Sequence, residues 1–156
     1  SVTDKPLFSN YCAINLSHAL LKSGIKINSS KVTTCWGCKD KNYKNQHVIR
    51  AQELANWLLI SKIDGLLKVK KLNGKNFKDY ISGKKGIIFF KDYWQRNSDS
   101  GANRTGDHID IWTGSGLVSE SFFTDFFRLN FPNITESIFG VSSLYESKEV
   151  YFWELK

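Results

Sequence analysis

The sequence contains no methionine, only two prolines and only three cysteines among its 156 residues. Because methionine is missing even at position 1, we expect a processed or trimmed chain. No apolar run approaches the roughly 20 residues that a membrane-spanning helix needs, and the first residues lack a signal-peptide pattern. We therefore expect a protein that is not integral to a membrane. Three cysteines are also too few for a disulfide-rich scaffold.

The sequence is basic, with 22 lysines and arginines against 15 aspartates and glutamates and a net charge of +7. This charge favours an anionic partner, such as nucleic acid, an acidic membrane or a cell-wall polymer, although solvated surface lysines are the more common explanation of such a charge. No helix-turn-helix, zinc-finger or aromatic RNA-binding signature accompanies it, so we expect no nucleic-acid partner. Length and composition, with 41% hydrophobic residues, predict one globular domain over residues 1–156.

The first half of the chain has helical patterns. Apolar residues at helical spacing predict a helix over 12–22, which Gly24 would end. A second helix is predicted over 48–61 and a short third one over 76–82. Between the first two, residues 28–46 are polar and rich in turn formers, so we predict a long surface loop there.

The second half of the chain has strand patterns. A glycine and a continuous apolar run predict a strand over 83–94 that is buried on both faces. Alternation predicts a second strand over 107–113, and a short turn leads to a third over 116–123. A fourth strand is predicted over 149–155. Helices followed by strands indicate an α+β domain, in which the N-terminal helices pack on an antiparallel sheet.

Cys12 stands at the start of the first predicted helix, in "NYCAINLSHALLKSG". The positive end of the helix dipole favours a thiolate there, and the first backbone N–H groups, including that of Cys12, can stabilise an oxyanion. A nucleophile of this kind needs a base. His108 is the best candidate, because it begins a strand next to a glycine, whereas His18 lies on the wrong side of the helix and His47 lies in a loop. A lone cysteine is more often structural.

The base would need a partner that orients its ring, and two carboxylates compete for this role. Asp110 shares a strand face with His108, but neighbours on one strand rarely lie end-on to an imidazole ring. Glu120, on the next predicted strand, can sit beside His108 across an antiparallel pair. We therefore prefer Glu120 and keep Asp110 as the alternative. Either carboxylate could instead be a surface group that balances the lysines.

Four segments together resemble family 4 of the type VI secretion amidase effectors, which are papain-like (NlpC-type) peptidoglycan peptidases. The segments are "NYCAINLSHALLKSG", "GKKGIIFFKDYW", "GDHIDIWTG" and "VYFWEL", and the resemblance extends from about residue 8 to 155. It places the family's nucleophile on Cys12 and its general base on His108. The acidic third residue, usually aspartate, falls on Glu120 if one extra residue is allowed in the preceding turn.

The resemblance also implies a function and a setting. A papain-like enzyme of this family would hydrolyse the γ-D-glutamyl–meso-diaminopimelate bond of the peptidoglycan stem peptide, without a metal or an organic cofactor. It would be secreted and act in the periplasm of target bacteria. Its producer would need a cognate immunity protein that blocks the active site.

Two aromatic residues could form walls of the substrate groove. Tyr11 precedes the proposed nucleophile and Trp94 ends the first predicted strand. Aromatic residues at such positions more often serve packing. A role in the groove is thus the weaker of the two interpretations.

Cys35 and Cys38 form a C-x-x-C motif in "TTCWGCKDK". A zinc site would need a second ligand pair, and His47 alone could add only a third ligand, so we predict no metal site. A thioredoxin-like role would need a strand before the motif and a helix after it. A small disulfide that closes the loop and a pair of thiols remain equal alternatives. A disulfide would leave Cys12 as the odd cysteine.

Two other functions fit the same residues. One is a cysteine hydrolase of this fold that remodels the cell wall or acts on another acyl substrate. The other is a non-catalytic domain that binds an anionic wall polymer. An intact Cys12 and His108 count against the second, because binding alone needs no thiol.

Overall fold

The computed structural model describes residues 11–36, 41–94, 98–101, 103, 105–119 and 144–156. At its centre is an antiparallel sheet of four strands in the order β1-β4-β2-β3. Their bounds are Lys70–Leu72 (β1), Gly86–Trp94 (β2), Gly106–Trp112 (β3) and Glu149–Glu154 (β4). Helices pack against this sheet, so the predicted α+β class is confirmed. Across the residues described, no helix is long and apolar enough to cross a bilayer.

The first and third predicted helices are confirmed as α1, Cys12–Lys22, and α3, Phe77–Ile81. Helix α1 ends as predicted, because Ser23 forms its C-cap and Gly24 has a φ of +81°. Side chains other than glycine rarely adopt this left-handed conformation. The predicted loop after α1 contains one short 3-10 helix, Ser29–Lys31.

The predicted start of the second helix is wrong by three residues. Helix α2 covers Ala51–Ile60, and Arg50 before it is extended. Val48 instead forms an antiparallel bridge with Thr34, and its N–H donates to Ser17 Oγ at 2.9 Å. Periodicity alone could not reveal this hydrogen bond, because the bond joins residues that are distant in sequence.

Removing the Ser17 hydroxyl is expected to destabilise the fold. Ser17 is fully buried, and its Oγ donates to Ile14 O at 3.0 Å while it accepts the N–H of Val48. Ser17→Ala would leave a buried N–H without an acceptor, which costs about 1–3 kcal/mol. Urea unfolding would measure this loss. The control is Ser23→Ala on the same helix, where an exposed hydroxyl bonds Ala19 O, and we expect a change below about 0.5 kcal/mol.

Strand β2 lies inside the sheet and is buried on both faces, as its apolar run predicted. Ile87 and Phe89 belong to a core cluster with α1 and α2, whereas Ile88 and Phe90 belong to a second cluster with α3. Burial on both sides fixes the register of β2 against both neighbours, because a one-residue slip would exchange the two sets of side chains. Strand β3, at the sheet edge, is thereby held at a defined position against α1.

The strand predicted over 116–123 is not present where the structure describes it. Leu117 makes a single bridge to Trp112, and the chain turns helical at Val118 and Ser119. The remainder of this prediction lies outside the described residues. Conversely, the pattern missed β1, whose three residues are exposed or half-buried and carry no apolar alternation.

Candidate active site

Cys12 is the first residue of α1 and is partly buried, with its side chain packed against the larger core cluster. The preceding Tyr11 is the N-cap residue, but its side chain makes no capping hydrogen bond. Backbone N–H groups of a first helical turn point out of the helix, toward the positive end of its dipole. The Cys12 sulfur therefore lies where an anion is favoured.

His108 stands on the edge strand β3, against which α1 packs. Its side chain is 12% exposed, and Nε2 lies 3.2 Å from Asp110 Oδ2. The His108 side chain is also hydrogen-bonded to Cys12. Because Nε2 faces Asp110, Nδ1 is the ring nitrogen left for the sulfur. The structure thus brings the predicted nucleophile and base together.

The Asp110 carboxylate is held in place by several donors. It is 8% exposed, and its Oδ1 accepts the N–H of Ile111 at 2.7 Å. Its Oδ2 accepts the Ser119 N–H at 3.1 Å and also a hydrogen bond from the Ser119 hydroxyl. The same hydroxyl oxygen is 3.4 Å from His108 Nε2. Fixed donors of this kind hold a carboxylate in one orientation and so fix the ring that it contacts.

The prediction that Glu120 is the third residue depends on two assumptions that the described residues do not support. Asp110 does lie within hydrogen-bonding distance of the imidazole, although it is a neighbour on the same strand. The segment that would carry Glu120 beside β3 turns helical at Val118. Glu120 itself lies outside the described residues.

Two contacts of His108 were missed by sequence reasoning. Ser119 joins the site only because the chain after β3 folds back onto Asp110, and no motif marks it. Tyr93 packs its ring against His108 with centroids 6.2 Å apart and an interplanar angle of 64°. Register shifts between Phe90 and Trp94 in β2, and a strand pattern does not reveal such a bulge.

Electrostatics favour a protonated His108. Burial alone would lower its pKa, but the hydrogen bonds to Asp110 and Cys12, together with the charges of both groups, raise it from 6.5 to about 9. An imidazolium between a carboxylate and a sulfur stabilises negative charge on that sulfur.

Folding stability is expected to depend on pH through His108. Because its pKa is higher in the folded state, its contribution is fully present below pH 6.5 and is lost as pH rises through about 9. Between those limits the loss is on the order of 3 kcal/mol. Urea unfolding at pH 6 and pH 9.5 should show this loss in the wild type but not in His108→Gln. Parallel profiles for the two proteins would contradict the assignment.

The remaining predicted residues occupy separate positions. Tyr11 is 37% exposed beside Cys12. The backbone of Trp94 ends β2 opposite Gly106, and its side chain lies outside what the structure describes. The other histidines lie together, with His18 Nδ1 3.0 Å from His47 Nε2. Among the described residues, no group of three or more histidines, cysteines or carboxylates could hold a metal ion.

The cysteines differ in oxidation state. Cys35 is fully buried and disulfide-bonded, whereas the Cys12 sulfur is not part of a disulfide. Cys38, the second cysteine of the C-x-x-C motif, lies outside the described residues. The two alternatives for this motif were a disulfide and a pair of thiols, and the disulfide-bonded state of Cys35 agrees with the first.

A helix-start thiol and an anchored carboxylate, both hydrogen-bonded to one buried imidazole, form a site that can carry out nucleophilic acyl transfer. The chain matches, over residues 8–153, the family described as type VI secretion system (T6SS) amidase effector protein 4. The chain belongs to this family, which implies an amidase effector of type VI secretion that acts on peptidoglycan. No curated protein sequence matches the chain significantly.

Proposed function

We propose that this chain is a cysteine DL-endopeptidase that cleaves the γ-D-glutamyl–meso-diaminopimelate bond of peptidoglycan stem peptides. The observation that carries the proposal is the contact of His108 with both Cys12 and Asp110. Cys12 is the nucleophile, His108 is the general base and acid, and Asp110 is the positioning residue. Ser119 holds Asp110 against the ring.

The reaction would proceed through a thioester. The thiolate of Cys12, paired with the His108 imidazolium, attacks the carbonyl carbon of the γ-D-glutamyl amide and forms a C–S bond. The first N–H groups of α1, including that of Cys12, hold the oxyanion. His108 gives its proton to the diaminopimelate nitrogen as the C–N bond breaks. His108 then takes a proton from water, whose oxygen attacks the thioester carbonyl; the C–S bond breaks, the glutamyl carboxylic acid leaves, and the Cys12 thiolate paired with the His108 imidazolium is restored.

The setting follows from the family and from charge. As a type VI effector, the enzyme would act in the periplasm of a target bacterium, where a disulfide at Cys35 is stable. The net charge of +7 would attract it to the anionic wall. The mechanism uses no metal and no organic cofactor, and the α+β architecture suits a papain-like (NlpC-type) fold.

A cognate immunity protein would protect the producing cell by covering the active site. Tyr11, exposed beside Cys12, would form part of the surface that such a protein contacts and one wall of the substrate groove. We propose Trp94 as the other wall. An exposed aromatic side chain such as that of Tyr11 is a typical anchor for a partner.

The test is digestion of purified diaminopimelate-type peptidoglycan, followed by mass spectrometry of the fragments. We expect products that end at γ-D-glutamate and complementary products that begin with diaminopimelate. Cleavage at a different amide would replace the proposed bond with the observed one. Intact wall after incubation with folded protein would refute the proposed activity.

A further inference from the structure

Trp36 is exposed to a degree that is unusual for tryptophan. Its side chain is 92% exposed, whereas Trp57, Trp112 and Trp153 are 6%, 7% and 3% exposed. A tryptophan normally buries about 150–250 Å² of its surface. A large aromatic side chain left in water marks a candidate contact for a partner.

The backbone beside Trp36 is firmly held. The preceding residue, Cys35, is fully buried and disulfide-bonded, and its N–H donates to His47 O at 2.8 Å. Thr34 pairs with Val48. The backbone that carries the indole is therefore already ordered. Because little of the chain has to become ordered when a ligand contacts the indole, less conformational entropy is lost on binding.

The segment that supports Trp36 is also hydrogen-bonded to α1, the helix that begins at the proposed nucleophile. Val48 donates its N–H to Ser17 on α1, the helix that begins at Cys12. His18 of α1 also contacts His47. The segment carrying Trp36 is thus hydrogen-bonded to the helix that carries the nucleophile, so a polymer held at Trp36 is held on the same part of the molecule as Cys12.

The charge around Trp36 is positive. Lys31, Lys41 and Lys44 are exposed in the same loop region. Across residues 28–50 the sequence has five lysines and arginines against one carboxylate, Asp40. Charge thus favours an anionic ligand at this surface.

We infer that Trp36 is a docking residue for the glycan strand of peptidoglycan, with its indole stacked on an N-acetylhexosamine ring. The faces of such rings present C–H bonds, which suit the negative face of an aromatic system. The lysines would attract the carboxylates of the wall. This inference rests on the proposed function, because it assigns the polymer part of the same substrate.

The test compares a polymeric with a sugar-free substrate. Trp36→Ala is expected to lower the initial rate of amide cleavage in intact sacculi, at low wall concentration, by about tenfold. The rate on a soluble stem tetrapeptide without sugars should stay within about twofold of the wild type, since this substrate lacks the sugar ring that the inference places on the indole. The control is Ile60→Ala, which removes another exposed side chain, 71% exposed on α2, and should change neither rate.

Loss of both rates in Trp36→Ala, or of neither, would overturn the inference.

If the wild type cleaves neither substrate, the proposed function fails, and a binding experiment then tests the inference about Trp36 separately. For that purpose, proteins carrying Cys12→Ala, with and without Trp36→Ala, are sedimented with sacculi and with anionic phospholipid vesicles. Weaker binding to sacculi alone supports a glycan contact. Unchanged binding to sacculi, or a loss confined to vesicles, overturns it.

Discussion

Cys12→Ala is expected to lower kcat/KM for peptidoglycan cleavage by at least about 10³-fold, because the residual site has no nucleophile. The backbone donors of α1 would remain, so substrate should still bind. A fall in kcat without a matching rise in KM would place the loss in the chemical step. The cleavage rate is measured as the release of diaminopimelate-terminated fragments from sacculi, quantified by mass spectrometry.

The matched control for Cys12→Ala is Ser23→Ala, which also removes one heavy atom from α1. Ser23 lies at the other end of the helix and is exposed, so its variant should keep wild-type activity. Circular dichroism and thermal unfolding would verify that both variants fold. If Cys12→Ala keeps more than about a tenth of the wild-type rate, a different group is the nucleophile.

Asp110→Asn is expected to lower kcat by about 10²–10⁴-fold, since an amide cannot stabilise the imidazolium as a carboxylate does. The Asp110 hydrogen bond and charge contribute to the raised pKa of His108, so this pKa should fall in the variant. NMR titration of the His108 ring would detect the change. A merely structural role for Asp110 would lower the amount of folded protein without moving the His108 pKa.

Two comparison variants make the Asp110 result specific. Asp79→Asn introduces the same change at an exposed position on α3 and should leave activity unchanged. Glu120→Gln tests the carboxylate that sequence reasoning preferred, and we expect it to stay within about threefold of the wild type. A large loss in Glu120→Gln combined with an active Asp110→Asn would reverse the assignment of the third residue.

The nucleophile and the base of the catalytic site could be predicted because each has a local signal. Cys12 precedes a helical pattern that Gly24 ends, and His108 starts an alternating strand next to Gly106. These signals depend only on neighbours in sequence. They sufficed to predict α1, α3, β2 and β4 within a few residues, together with the α+β class.

The rest of the site depends on contacts that no local pattern encodes. Ser119 reaches Asp110 because the chain turns helical after Leu117. The start of α2 shifts because Ser17 captures the N–H of Val48, and this contact spans 31 residues. Periodicity indicates which face of a segment is apolar, but not which distant donor will take a backbone group out of the expected element.

The strand order has a consequence for how the chain acquires its activity during synthesis. Strand β4 pairs with both β1 and β2, and its contact between Lys91 and Glu149 spans 58 residues. Closing such a long loop is entropically costly and slow. Both core clusters need side chains from β4. A nascent chain whose residues 149–154 are still inside the ribosome therefore lacks the strand that completes both cores under β2 and β3, and we expect the proposed hydrolase to stay inactive until that strand emerges.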